Sequence, residues 1–137
     1  MCLETLDKKR KIAGHDIVCY KIVERVEPDG IWRTPFRLCR IPDAVISGRR
    51  FMVGRGLGFV RRKRDNSRIV GRGYVHVYRD EDVKFGFLMD ETYSSFDGIT
   101  VSWHLFKCVI PVGTAYWESL DGETFCAKRI KFVSQIF

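Results

Sequence analysis

With 137 residues, 45% of them hydrophobic and 13% aromatic, the chain can bury a core of its own and reads as a single compact domain. No stretch approaches the ~20 apolar residues of a membrane span, residues 1–10 lack the apolar segment of a signal peptide, and Cys2 stands where N-myristoylation requires glycine, so the expected setting is the cytoplasm, without a membrane. The net charge of +7 is unevenly spread: residues 33–79 carry thirteen Lys and Arg against Asp43 and Asp65, whereas residues 80–123 carry Lys84 and Lys107 against nine acids.

Residues 1–14 are polar and form a lead-in. Residues 16–26 predict a strand with two largely apolar faces. Ile17, Cys19 and Val23 share one face with Lys21 as the exception, and Val18, Tyr20 and Ile22 share the other, which suits a central strand. Glu27-Pro28-Asp29-Gly30 is a turn, because proline presets φ and Asp-Gly tolerates positive φ. Ile31-Trp32-Arg33 resumes briefly, and a short helix can begin at Pro42-Asp43-Ala44, since proline suits the first helical turn.

An internal repeat follows. Met52-Val53-Gly54-Arg55-Gly56-Leu57-Gly58-Phe59-Val60 recurs as Ile69-Val70-Gly71-Arg72-Gly73-Tyr74-Val75-His76-Val77, a spacing of 17. Two copies are too few for a solenoid, and an Arg/Gly-rich antiparallel hairpin over 49–79 is the expectation, linked through 61–68 with turn residues at 65–67. Asp80-Glu81-Asp82 then suits a helix N-terminus, which predicts a short helix over 81–90.

The longest apolar run is 101–111. It has strand length, β-branched and aromatic residues and no strict alternation, so both of its faces should be covered. Pro111 ends it, Gly113-Thr114 turns the chain, and a strand starts at Ala115-Tyr116-Trp117. Asp121-Gly122 marks a hairpin turn into a last strand over 125–133. The pattern predicts a sheet-dominated α+β fold, mostly antiparallel, with one or two short helices and a core of 16–26, 101–111 and 125–133. The five cysteines, 2, 19, 39, 108 and 126, are odd in number and form no CxxC pair, so reduced thiols are expected.

Met1-Cys2-Leu3, Asp16-Ile17-Val18-Cys19-Tyr20-Lys21 and Thr34-Pro35-Phe36 together resemble a group of small proteins from gut-bacterial and phage genomes. Lys107 to Tyr116, with its Ile-Pro-x-Gly-Thr-x-Tyr motif, and Cys126 to Phe132 extend that resemblance over most of the chain. It departs at Val75, which separates Tyr74 from His76, and in the Arg-rich 49–68 stretch. The resemblance implies a shared fold and a phage or mobile-element setting, and it implies no activity.

Three functions compete. Arg49, Arg50, Arg55, Arg61, Arg62, Lys63, Arg64, Arg68 and Arg72 crowd the hairpin, and arginine forks suit phosphate oxygens, so a polyanion such as nucleic acid is the leading partner. Phe51, Phe59 and Tyr74 would add stacking platforms. The bland alternative pairs those arginines with the acids of 80–97. The order of strands also resembles the ADP-ribosyltransferase fold, an NAD-binding enzyme. That resemblance would place Tyr20 and Tyr74 on the nicotinamide and Glu118 on the ribose. A third reading is a module covering a host protein through exposed Trp32, Trp103 or Trp117. His15, His76 and His104 lack metal-ligand spacing, so no metal is expected. His104 and Cys108 share a strand face about 13 Å apart by the strand rise, and either would meet His76 only from a neighbouring strand. Gly54-Arg55-Gly56-Leu57-Gly58 matches neither a P-loop nor a dinucleotide fingerprint.

Overall fold

The computed structural model describes residues 5–6, 10–35, 39–54, 59–61, 68–70, 74–82, 92–94 and 98–137, with 5–6, 59–61, 68–70 and 92–94 described by their backbone pairing. In chain order the elements are β1 (Thr5–Leu6), β2 (Lys11–Ile12), β3 (Ile17–Glu27), β4 (Ile31–Arg33), β5 (Arg40–Ile41), α1 (Asp43–Ile46), β6 (Met52–Val53), β7 (Phe59–Arg61), β8 (Arg68–Val70), β9 (Val75–Tyr78), β10 (Thr92–Ser94), β11 (Thr100–Ile110), β12 (Ala115–Glu118), β13 (Thr124–Ala127) and β14 (Arg129–Gln135).

β3 and β11 form the spine. They pair antiparallel without a break from Ile17↔Ile110 to Glu27↔Thr100. Their two-sided apolar sequence has the consequence expected of it. Cys19, Val23, Phe106, Cys108 and Ile110 are buried on one face, and Ile22, Val26, Val101 and Leu105 on the other. The first set packs against Val75, Val77, Phe125, Ala127, Ile130 and Phe132. Trp32 and Phe132 both meet Phe106 edge-on at 5.3 Å. The second set makes a smaller core in which Tyr20, Tyr78 and Trp103 surround Ile22 and Leu105. Each large apolar side chain fully buried in these cores contributes roughly 1.5–3 kcal/mol. Lys21, the exception on the main core face, donates Nζ to the His76 carbonyl at 2.9 Å, which satisfies a polar group that burial would otherwise penalise.

The main sheet runs β2-β12-β13-β9-β3-β11-β14-β6. Only Lys128 separates β13 from β14, yet three strands lie between them in that order. A flat sheet cannot bring both about, so β13-β9-β3-β11-β14 curls until its ends meet at Lys128. The corner is tied by Lys128 N–H to the Ala115 carbonyl at 3.0 Å and by Gly54 N–H to the Lys128 carbonyl at 2.9 Å.

One expectation is corrected here. The last strand is not continuous over 125–133, because it breaks at Lys128 and its halves pair with different strands, β13 with β12 and β9 and β14 with β11 and β6. β12 starts at Ala115 as expected. Pro111 and Gly113 (φ +84°) end the spine as expected, and β12 pairs with β2 and β13. The Asp121-Gly122 turn does form the β12–β13 hairpin, with Glu118 opposite Phe125 and Gly122 at φ +75°. α1 begins after Pro42 and lasts four residues. Glu81 and Asp82 form a turn, and the rest of the helix expected over 81–90 lies outside the described residues. The architecture is sheet-dominated and antiparallel, and no helix among the described residues is long and apolar enough to cross a membrane.

The repeat does not fold as two equivalent strands. Its first copy supplies β6 and the start of β7, its second β8 and most of β9. Among the described residues of the repeat, β7 and β8 pair with each other, β6 pairs with β14 and β9 with β13 and β3.

Candidate functional site

The hairpin is a small sheet of its own, ordered β1-β8-β7. Phe59 faces Val70, Val60 faces Ile69 and Arg61 faces Arg68, while Leu6 flanks Arg68 on the other side. Arg61 and Arg68 are therefore direct cross-strand partners at the mouth of the 62–67 link. Like charges at such positions destabilise a strand pair, and an anion bound between two guanidinium groups reverses the sign. Arg55, Arg62, Lys63, Arg64 and Arg72 lie outside the described residues.

Arg49 and Arg50 follow α1 and are exposed. Gly48, at φ +79°, presses so closely on β14 that a Cβ would collide with the Phe132 carbonyl. Met52 then pairs with Ile130 and Val53 with Arg129. Three residues, 49–51, thus span the distance that Lys131 alone spans on β14, and they must bow outward beside it. Within this bow Arg49 Nε donates to Ser47 Oγ at 3.0 Å, and Arg50 N–H donates to the Ala44 carbonyl at 2.9 Å.

β14 alternates strictly here. Ile130 and Phe132 are buried in the core, so Arg129 and Lys131 lie on the other face with Val53. The Arg129 guanidinium lies 4.6 Å over the Phe51 ring, and its Nε donates to Thr114 Oγ1 at 3.1 Å. Lys128 Nζ sits 4.6 Å over the Tyr74 ring. The ion pairs among the described residues involve Lys11, Arg25, Arg33 and Arg79, and none of Arg49, Arg50, Lys128, Arg129 or Lys131. Of the acids of 80–97, Asp80, Glu81 and Asp82 lie within the described residues. Burial first, then the Glu81 and Asp80 carboxylates, push the Tyr20 phenol up.

The trio of the enzyme reading is not gathered round one cleft. Tyr74 meets Trp117 edge-on at 4.6 Å. Glu118, the next residue on β12, belongs to the opposite face of the strand, where Lys11 Nζ and Arg79 Nη2 each approach its carboxylate at 3.3 Å. Tyr20 lies across from Tyr78 in the second core.

His76 finds Cys126 rather than Cys108 or His104. The two are partners across β9–β13, with Sγ 3.4 Å from Nδ1. Cys126 is 1% exposed, which denies a substrate access to the thiol. His104 contacts Ser102 Oγ at 2.8 Å and the Phe137 carbonyl at 3.0 Å, and its ring meets Trp32 edge-on. No group of three or more His, Cys, Asp or Glu among the described residues is placed to hold a metal ion. The tryptophans serve the interior. Trp32 and Trp117 are buried, and Trp103 donates Nε1 to the buried Glu24 carboxylate at 2.9 Å.

Sequence reasoning overlooked Lys128, Arg129 and Lys131 as surface residues. Their signal is the alternation of Arg129 and Lys131 with Ile130 and Phe132, a half-buried strand with a cationic outer face. Compared with protein-family models, with curated proteins and with solved structures, the chain matches none.

Proposed function

We propose that the protein binds nucleic acid as a polyanion, through the Arg-rich hairpin and the arginines that lead into it. The observation that carries this reading is Arg61 opposite Arg68 in β7–β8, a pair of like charges that an anion would relieve. Exposed Arg49 and Arg50, with no ion pair among the described residues, extend the cationic surface. Arg55, Arg62, Lys63, Arg64 and Arg72 contribute through sequence alone. The same reading keeps the α+β assignment, with α1 as its helix. The resemblance to phage and gut-bacterial proteins suggests a mobile-element setting.

Backbone contacts carry little sequence information, so base preference is weak. Affinity measured by fluorescence anisotropy falls with salt, with a log–log slope of roughly −0.9 per phosphate neutralised on duplex DNA. Replacing Arg61, Arg62, Lys63 and Arg64 together by Ser weakens binding to every sequence and flattens that slope by several units. A flat titration at low salt with both DNA and RNA overturns the reading.

A further inference from the structure

The edge formed by β6 and β14 has a composition that phosphate binding alone does not explain. Residues 48–54 and 128–135 contain Arg49, Arg50, Lys128, Arg129 and Lys131 and no acid. Between these cations lie exposed apolar side chains: Phe51 at 40%, Val53 at 58% and Val133 at 55%. Register and alternation put Val53, Arg129 and Lys131 on one face, with Phe51 brought to it by its contact with Arg129, and exposed Val133 follows where the register of β14 against β11 shifts. β6 ends the strand order of the main sheet, so this face lies along an edge.

Arg129 is held in place rather than free to sweep. Thr114 fixes Nε, and the Phe51 ring supports the guanidinium plane. A cation positioned in this way loses less conformational entropy when it binds a phosphate. Lys131 stands two residues along the same strand face, at a spacing of about 7 Å by the strand rise. That spacing matches successive phosphates of an extended strand of nucleic acid.

We infer that this edge is a binding track for single-stranded nucleic acid, with Phe51 as a stacking platform and Arg129 and Lys131 as phosphate contacts. The inference rests on the polyanion reading and adds the strandedness of the ligand and three residues outside the hairpin. Its reason is the interleaving of apolar and cationic side chains. Unpaired bases expose apolar faces that Phe51, Val53 and Val133 can cover while the phosphates meet the cations. A duplex stacks those faces internally and offers the surface sugar and phosphate, against which the apolar side chains gain nothing. An anionic lipid surface would match the charge, but short valines on a flat strand insert little apolar volume into a bilayer, in contrast to the large aromatic and aliphatic side chains of interfacial helices.

The experiment compares a short fluorescein-labelled oligothymidylate, a labelled duplex of the same length, and vesicles of phosphatidylserine and phosphatidylcholine. The protein binds the single strand more tightly than the duplex. Phe51→Leu weakens single-strand binding about tenfold and leaves duplex binding unchanged, as loss of one stacked base requires. Arg129→Gln and Lys131→Gln each reduce the single-strand salt slope by about 0.7. Phe51→Trp retains binding, and its added emission is quenched by the oligonucleotide, a readout that a folding defect cannot mimic. If Phe51→Leu, with an unchanged thermal melt, affects neither ligand or both equally, this inference falls and the hairpin reading stands. Binding to vesicles but not to the oligonucleotide overturns it. If the parent protein binds neither nucleic acid, both readings fall together.

Discussion

Cys19 and Cys108 face each other across β3–β11, and both side chains are shut off from solvent. Register partners in antiparallel strands have Cα atoms about 4.5–5.5 Å apart, within the reach of a disulfide, yet both are thiols. Burial is the largest influence on each. It pushes the Cys19 thiol up to about 12 and raises Cys108 as well, with the neighbouring Cys19 adding to the rise. Only the thiolate reacts. Iodoacetamide applied to the native protein at mildly alkaline pH should therefore label exposed Cys39 and spare Cys19 and Cys108 until denaturant is added. Peptide mass mapping without reductant should find no Cys19–Cys108 bridge. Labelling of Cys19 as fast as Cys39 would refute this account.

The β12–β13 turn links stability to pH. Asp121 Oδ1 accepts from the Ser119 hydroxyl at 2.5 Å and from the Glu123 N–H at 3.0 Å, and Ser119 Oγ in turn accepts from the Thr124 N–H. Chiefly the Ser119 bond, then the Glu123 bond, holds the Asp121 carboxyl below its ordinary value of 3.8. The folded state thus prefers the ionised form. The contribution is present above the ordinary aspartate value and lost as pH falls through the lowered one. The melting temperature of Asp121→Ala should lie furthest below that of the parent near neutral pH, and the two should converge in strong acid. Ser119→Ala should flatten the parent's acid limb. A constant gap between the parent and Asp121→Ala over the whole range would count against the link.

Much of this was readable in the residues, and the failures have physical causes. β3 and β11 announce themselves because both of their faces are apolar, and their burial on both sides follows. The break at Lys128 was hidden by the lack of any glycine or proline there. Its trace is a change of phase: the core takes Phe125 and Ala127, then Ile130 and Phe132, so the alternation slips by one residue at the corner. The start of β12 was legible in Gly113-Thr114, but its partners β2 and β13 are set by the sheet as a whole. The candidate edge was half legible. The arginines before β6 stood out as a run, but those of β14 became a surface only once Val53 was set opposite Arg129.

Glu24 is the charged residue most deeply buried among those described, at 2% exposure. Its two oxygens divide the work. Oε2 takes the Arg33 Nε–H at 2.5 Å and Oε1 takes the Trp103 indole N–H at 2.9 Å. The three side chains lie across adjacent strands, because Glu24 is the register partner of both Arg33 and Trp103. Removing the cation leaves a carboxylate in a place that water does not reach, so Arg33→Met should cost about 3 kcal/mol in urea denaturation. Trp103→Phe removes one hydrogen bond to a charged group and some packing, and should cost about 2 kcal/mol. Glu24→Gln combined with Arg33→Met should recover part of the loss, since no buried charge is then left alone. Equal effects from the double and the Arg33 single variant would argue that packing, rather than charge, sets the cost.

The hairpin arginines allow one decisive contrast. If they exist to hold the acids of 80–97, they are structural, and the Arg61, Arg62, Lys63 and Arg64 to Ser variant should melt well below the parent. Of those acids, Asp80 and Glu81 act on Tyr20, which pairs with Tyr78 across β3–β9. Arg61 and Arg68 are register partners across β7–β8, positions at which like charges destabilise a strand pair. Surface substitutions generally cost within about 0.5 kcal/mol each. The quadruple variant should therefore keep its melting temperature at low salt to within a few degrees, and in the absence of ligand it should gain slightly if the Arg61–Arg68 repulsion dominates. The parent should be stabilised by added oligonucleotide, as any ligand of the folded state requires, and the variant should be stabilised less. A variant that melts far below the parent without ligand, and a parent indifferent to oligonucleotide, would together assign these arginines to the fold.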